Sequence, residues 1–391
     1  MNKTKKMNIC ILSYPISGCR VSPKILTSFI SILIPLADKI LIISEDFHID
    51  IDNPLKSKKI EICNVHAYPN DKKANSLFNI VRYLKYQILL SKKIIQFSDK
   101  IDLIFLYGGS SLLIPNLCAH LLGYKVATFA QCPDYDVVSE GYTKNIGKFL
   151  YYVVKAVDHL NFTIADMIIP ESKNMIDYEN LTKYKYKVLP LGARYVDNSF
   201  INCEIQYNNR DLIVGFIGRF EKQKGLIEFI DSIPIINFNN PQIKFVIGGD
   251  GSLKDEVTRK LHELRLDDKV ELLGWIPQKD LPQTIRKLKL LVMPSYSEGL
   301  PTIALEAMAC GTPVLATPVG GIPDIIKDGI TGYILDNNTP NCIAKKIQEI
   351  FNQSNGDIIS RNAKKIILEK YTFDTAVIRY QQIIDSLVDL K

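Results

Sequence analysis

Short apolar runs alternate with amphipathic stretches along the chain, the pattern of buried strands and crossover helices in a parallel sheet. In the first half, Asn8–Ser13, Lys39–Ser44, Leu103–Tyr107, Lys125–Phe129 and Met167–Pro170 read as strands. Between them, Leu77–Phe97 and Leu112–Leu122 carry apolar residues at helical spacing. A second series starts near Leu212, with strands at Leu212–Ile217, Lys244–Gly248, Val270–Leu273, Leu290–Met293, Val314–Ala316 and Gly332–Leu335. Each is followed by Gly, Pro or polar residues and then by a helical pattern. Leu189–Asn209 joins the two series, and there Pro190, Gly192 and a run of Asn and Asp break the periodicity. The expected architecture is α/β, with two doubly wound, Rossmann-like domains facing each other across a cleft. The first covers residues 1–195, the second 196–373, and a closing helix takes residues 374–391.

Composition bounds this picture. A chain of 391 residues that is 47% apolar and 23% charged can bury two cores without staples. Its eight cysteines form no CxxC pair, and most sit among apolar residues, which suits reduced structural thiols in a cytoplasmic compartment. No apolar run reaches the roughly 18–20 residues of a membrane-spanning helix, because Asp38 and Lys39 interrupt the best attempt, Phe29 to Ile43. Near the N-terminus, Lys3, Lys5 and Lys6 precede Met7–Ile16, and Ile16-Ser17-Gly18-Cys19 imitates a lipoprotein cleavage box. Cleavage there would remove the first strand, so the strand reading is preferred.

Net charge is +6, divided as +7 over residues 1–200 and −1 over residues 201–391. A basic first half suits an anionic membrane surface, nucleic acid or a phosphorylated acceptor, as well as a plain solvated surface. Residues 79–97 and 145–160 mix Lys or Arg with Tyr, Phe, Leu and Val at near-helical spacing. Such helices either lie on an anionic membrane or bury an apolar stripe and solvate their lysines, and the second reading is preferred.

The chemistry concentrates in one stretch, Pro294-Ser-Tyr-Ser-Glu-Gly-Leu-Pro-Thr-Ile-Ala-Leu-Glu-Ala-Met-Ala-Cys-Gly-Thr-Pro313. It follows a strand and opens a helix at about Pro301, since proline suits a helix's first position. Gly311 stops that helix and Pro313 prevents its resumption. A helix N-terminus at the carboxyl end of a parallel strand is where open α/β sheets bind ligands, and its free N–H groups suit a diphosphate. Glu298 precedes the helix and Glu306 lies on it, so the two carboxylates reach different hydroxyl-rich parts of one ligand.

This spacing, followed by Val319-Gly-Gly-Ile-Pro-Asp and Asp328-Gly-Ile-Thr-Gly332, resembles the signature of family-4 retaining glycosyltransferases of GT-B fold. Two upstream motifs agree. Phe216-Ile-Gly-Arg219 to Lys224-Gly225 matches the segment whose Arg and Lys neutralise the donor diphosphate in that family. Ile247–Ser252 resembles its Gly-rich turn, which shapes the cleft, and Gly274-Trp275-Ile276-Pro277 resembles the region that holds the base through backbone groups. Trp275 covers the base or packs.

The resemblance implies a metal-independent, retaining transfer of a hexose-type sugar from a nucleotide-diphosphate sugar to a glycan or lipid-linked acceptor, as in polysaccharide or glycolipid biosynthesis. It implies no cofactor, no nucleic-acid partner and a cytoplasmic location; peripheral contact with an anionic membrane on its inner face is the alternative reading of the two basic helices. The first domain becomes the acceptor side, the second binds the donor, and the closing helix packs back on the first. The reacting centre falls to Glu298, Arg219 and Lys224; Gly18, Gln131, Gly218, Ile276, Gly299, Leu300, Thr302 and Glu306 join Glu298 around the substrate. Glu298 contacts the sugar and Glu306 the ribose hydroxyls.

The first domain departs from the family pattern. Ser17-Gly18-Cys19 stands where many members carry a Gly-Gly pair near the donor phosphates. Ala130-Gln131 stands where some place a histidine on the transferred sugar, and Gln131 can donate a hydrogen bond but exchanges no proton near neutrality. The alternative function is therefore a nucleotide-sugar-binding protein without transfer. A dinucleotide oxidoreductase fails, since no GxGxxG follows a first strand. Asp134-Tyr135-Asp136 imitates a metal-binding DxD but lies away from the donor motifs, and no metal site is expected.

Overall fold

The computed structural model describes residues 7–13, 23–45, 47, 59–67, 76–107, 112–130, 144–190, 192–202 and 206–389. The chain divides into two compact units, Met1–Arg194 with Ala376–Lys391, and Tyr195–Thr375. Each unit is built on one six-stranded sheet with helices on both faces.

In the first unit, the strands are β1 (Met7–Ser13), β2 (Ala37–Ser44), β3 (Ile60–Asn64), β4 (Leu103–Tyr107), β5 (Lys125–Ala130) and β6 (Met167–Pro170). They pair in the order β3-β2-β1-β4-β5-β6, all parallel. β4 is buried at every position, as a central strand covered on both faces must be. β3 is an addition to the sequence expectation. It is short, alternates Ile, Glu, Ile and leaves Glu61 exposed, so no continuous apolar run marks it.

The helices of this unit are α1 (Pro23–Leu33), α2 (Ser76–Gln96), α3 (Leu113–Leu121) and α4 (Lys144–Ile164). Right-handed crossovers running in opposite directions from β1 place α1 on one face and α3 with α4 on the other. On the α1 face, Phe29 meets the rings of Phe105, Tyr107 and Phe129, and Tyr380 of the closing helix Phe373–Asp389 joins them. Each such aromatic pair adds about 0.5–1.5 kcal/mol to simple burial. The closing helix is tied further by Arg379, which donates to the Arg194 carbonyl at 2.8 Å.

In the second unit, β7 (Ile213–Ile217), β8 (Lys244–Gly248), β9 (Val270–Gly274), β10 (Leu290–Met293), β11 (Val314–Ala316) and β12 (Tyr333–Ile334) pair in the order β12-β11-β10-β7-β8-β9. All pairings are again parallel. The chain runs from β7 outward through β8 and β9, then returns to lay β10 on β7's other side. The loops after β7 and β10 therefore diverge at a topological switch point, the place where such sheets bind ligands. Two helices carry this geometry: α5 (Leu226–Asn239) after β7 and α6 (Thr302–Ala309) after β10.

α6 begins one residue later than its proline suggests. Pro301 has φ −71° and ψ 120°, an extended conformation, so it is the cap rather than the first helical residue. Its carbonyl accepts from the Ala304 and Leu305 N–H groups at 3.2 and 3.4 Å. At the other end Gly311, at φ 65°, turns the chain out of the helix. There the buried Arg210 guanidinium donates to the Cys310 carbonyl, the Leu288 carbonyl and the Thr312 hydroxyl. A cation at a helix C-terminus is favoured by the exposed carbonyls and the dipole.

Candidate active site

The site is built on the loops that leave β7 and β10. After β7 the chain passes Gly218 and Arg219, makes a short turn over Lys222–Lys224, and enters α5 through Gly225. Gly225 has φ 67°, and a Cβ there would overlap the Pro294 carbonyl oxygen. Glycine is thus required twice, for the left-handed backbone and for the close approach of one loop to the other. The Tyr296 N–H donates to the Gln223 carbonyl at 2.9 Å, and the Tyr296 hydroxyl to Glu228 at 2.6 Å. Its hydrogen bond to the Glu228 carboxylate, with burial, raises the Tyr296 phenol above its ordinary pKa.

This docking brings Lys224 onto Glu298, residues 74 apart in sequence. The Lys224 ammonium lies 2.8 Å from both carboxylate oxygens, and both side chains are largely buried. The Ser295 hydroxyl, itself buried, donates to Glu298 Oε1 at 2.8 Å. Thr317, at the carboxyl end of β11, donates its hydroxyl to the Ser295 carbonyl. A third loop closes over the carboxylate's backbone: Gly320, at φ 55°, has no room for a Cβ beside the Glu298 carbonyl, and the Gly321 N–H donates to the Gly299 carbonyl at 2.7 Å.

The arrangement leaves defined capacity. A carboxylate offers about four acceptor positions, and an ammonium three donors. Among the described residues, Lys224 takes one position on each Glu298 oxygen and Ser295 takes the second on Oε1. One acceptor position on Oε2 and one Lys224 donor remain for a ligand. An adjacent acceptor and donor of this kind fit a sugar hydroxyl beside a phosphate oxygen.

Glu306 lies on the second turn of α6 and is buried. The Gln278 carboxamide donates to its Oε1 at 3.3 Å. Gln278 follows the Gly274–Pro277 segment, whose Ile276 packs against Gly248 so closely that a Cβ on that glycine would overlap it. Trp275 is 73% exposed, which removes packing as its role. The Gly-rich turn shapes the β7 loop: the Gly249 Cβ position coincides with the Gly218 carbonyl, and the Phe220 N–H donates to the Asp250 carbonyl at 2.9 Å.

Of the residues expected at the site, the structure brings Lys224 and Glu298 into contact and sets Gly299, Thr302 and Glu306 on the same loop and helix. Arg219 is exposed on the β7 loop. Leu300 sends its side chain into the hydrophobic core of the unit, so only its backbone is left to face a ligand. Gly18 and Gln131 lie outside the described residues, as do Asp134 and Asp136. Among the described residues no group of three or more His, Cys, Asp or Glu side chains is arranged to hold a metal ion. Sequence reasoning missed Ser295, Thr317 and Gln278. The signal for the first two is positional: each is a small hydroxyl residue just beyond the carboxyl end of a parallel strand next to the switch point.

Comparison with known proteins identifies the family and the fold. The family model for glycosyl transferases group 1 matches residues 200–366. An uncharacterised glycosyltransferase of Methanocaldococcus jannaschii is 31% identical over 349 residues, 88% of this chain and 91% of that protein. A D-inositol 3-phosphate glycosyltransferase of Corynebacterium jeikeium is 28% identical over 198 residues, 45% of this chain and 47% of that protein. Among solved structures, HepE of Anabaena in complex with UDP aligns with a TM-score of 0.73 at 18% identity, over 98% of this chain and 100% of that one. Sucrose-phosphate synthase of Thermosynechococcus elongatus aligns with a TM-score of 0.75 at 17% identity and the same coverage. The fold is therefore GT-B, and the chain belongs to the group 1 glycosyltransferases.

Proposed function

We infer that this protein is a retaining transferase that moves a hexose-type sugar from a nucleotide-diphosphate donor to a glycan or lipid-linked acceptor, in polysaccharide or glycolipid assembly. The observation that carries the reading is the Lys224–Glu298 pair, held at the switch point with one donor and one acceptor position to spare. In this reading Lys224 and the exposed Arg219 neutralise the departing diphosphate, the charge a divalent metal supplies in other transferases, so the reaction runs without one. Glu298 binds a hydroxyl of the transferred sugar and faces the positive charge that develops as the glycosidic bond to phosphate breaks. The leaving phosphate assists removal of the acceptor's proton, and the acceptor attacks the face the phosphate leaves. Glu306 accepts from the ribose hydroxyls, with Gln278 holding its orientation. The α6 N-terminus, from Gly299 to Thr302, meets the phosphates. Ile276 presents backbone to the base, and exposed Trp275 covers it.

Gly18 and Gln131 of the first unit are the remaining substrate-binding residues of this reading, Gly18 for the donor phosphates and Gln131 for the transferred sugar. A cytoplasmic location fits Cys10, Cys63, Cys118 and Cys342, none of which is joined in a disulfide. HepE has been captured with UDP, UDP-glucose and glucose, which puts UDP first among the nucleotides to try.

Thermal melting with UDP, GDP, ADP and CMP, on wild type and Glu306→Ala, tests the donor site. A ligand at 100 times its dissociation constant stabilises by about 2.7 kcal/mol. The expected result is a shift with one nucleotide that Glu306→Ala cuts to about half; no shift with any of the four counts against the site. Product configuration read by NMR then decides retention, and an inverted anomer overturns that part.

A further inference from the structure

The outer surface of the first unit is built the wrong way round for a helix layer facing water. α2 buries Tyr86, Leu90 and Ile94 against the sheet, yet its opposite stripe is Val81, Leu84, Ile88, Lys92 and Ile95, all exposed. A helix apolar on both faces is normally covered on both. α3 lies between α2 and α4: Cys118 approaches the Ser91 carbonyl at 3.8 Å, and Asn116 donates to the Asn161 side chain at 2.7 Å. α3 adds Leu121, which is 88% exposed. α4 turns Phe149, Tyr152, Val153 and Leu160 outward, with Phe149 at 68% exposure. Ten of the 22 large apolar side chains exposed among the described residues sit on these three adjacent helices. None of the described helices is long and apolar enough to cross a membrane.

Charge identifies the covering surface. α2, α3 and α4 together contain six lysines and a single acid, Asp158, which is buried; Arg82 of α2 turns inward to pair with Glu45 at 3.0 Å. Lys92 lies within the apolar stripe of α2, and Lys148 stands one turn before Tyr152 on α4. A second copy of this face would set like charges against each other. An anionic bilayer offers the complement, acyl chains for the apolar stripes and phosphates for lysines that extend past them. We propose that the outer face of α2, α3 and α4 docks the first unit on an anionic lipid surface. The apolar side chains enter the headgroup boundary, and the lysines meet the lipid phosphates. This names the membrane partner of a transferase acting on a lipid-linked acceptor, but the docking face stands on the first unit alone and needs nothing from the donor site.

The test is flotation of the full chain with phosphatidylcholine vesicles, with and without phosphatidylglycerol, at low and high salt. Wild type is expected to float only with phosphatidylglycerol and to be released by salt. Lys92→Ala and Lys148→Ala are each expected to weaken binding about fivefold, and Phe149→Ser with Leu160→Ser by about tenfold or more. All four positions are exposed, so melting temperature and any UDP-induced shift should match wild type. Absence of flotation at low salt, or equal flotation of the double serine variant, overturns the proposal. So does a wild-type dimer that the serine variant converts to monomer, which would make the face a contact between copies. A failed UDP shift with intact flotation would instead strike only the donor-site reading.

Discussion

The two units share one strand order and use it differently. In the second, the loops at the switch point are locked together by Gly225, Gly249 and Gly320 and by the Lys224–Glu298–Ser295 network. In the first, the segments after β1, β4 and β5 fall outside the described residues, and the distinctive surface is the apolar, basic outer face of α2, α3 and α4. The same topology therefore carries a polar side-chain network on its loops in one unit and an exposed apolar helix face in the other. Strand order decides where a ligand can bind; the loops and helix faces decide what it is.

The largest expected effect tests whether the second unit carries the reacting centre. Glu298→Ala should lower transfer by about 10²–10³-fold, the usual loss for one preorganised electrostatic group. Nucleotide affinity, read by calorimetry, should change little. Equal loss of both would place Glu298 in ground-state binding.

Next comes the locking of the loops. Gly225→Ala must relieve its overlap with the Pro294 carbonyl and leave a left-handed backbone, so it should cost about 2–3 kcal/mol in denaturant unfolding. A cost near zero would mean that the two loops are free to separate. Glu306→Ala is expected to weaken nucleotide binding about tenfold, the loss of one charged hydrogen-bonding group. Gln278→Ala should produce a smaller loss in the same titration, and an unchanged affinity would remove Gln278 from the site.

The smallest effect lies in the first unit. His120 Nε2 is 3.1 Å from Asp166, whose other oxygen lies 3.1 Å from Lys125. The hydrogen bond to Asp166 raises the imidazole's pKa despite opposing burial. Burial alone would raise the Asp166 carboxyl, but its bonds from His120, the Val126 N–H and Lys125 hold it at about 2. A raised histidine stabilises fully below its unfolded value of about 6.5 and loses that contribution as pH rises through the folded value. A depressed carboxylate stabilises above about 4 and loses its share as pH falls towards 2. Stability should thus fall slightly from pH ~6 to ~8, by less than about 1 kcal/mol because the pair is still partly open to solvent. His120→Gln should flatten that limb; an unchanged profile would remove His120 as its cause.

The buried strands β4, β6, β8 and β10 were legible because each is a continuous apolar run bounded by turn residues. The Glu298-to-Glu306 stretch was legible for the same local reason, with proline and glycine marking the start and stop of α6. β3 escaped because an edge strand alternates instead of running apolar. Ser295 and Thr317 escaped because a hydroxyl's partner, 3 or 22 residues away in sequence, is chosen by how neighbouring strands end.

The sequence by itself determined the element order apart from β3, the α/β class and the strand-to-helix stretch that carries Glu298 and Glu306, all features written in periods and spacings of a few residues. Only the tertiary structure decided that Lys224 pairs with Glu298, that Leu300 turns inward and Trp275 outward, that Tyr380 of the last helix completes an aromatic cluster with Phe29, and that the outer face of α2 is apolar. Each of these depends on which surfaces remain after distant segments have packed. Side-chain burial is a property of the whole fold, and a local pattern records only that a residue is apolar, never what will cover it.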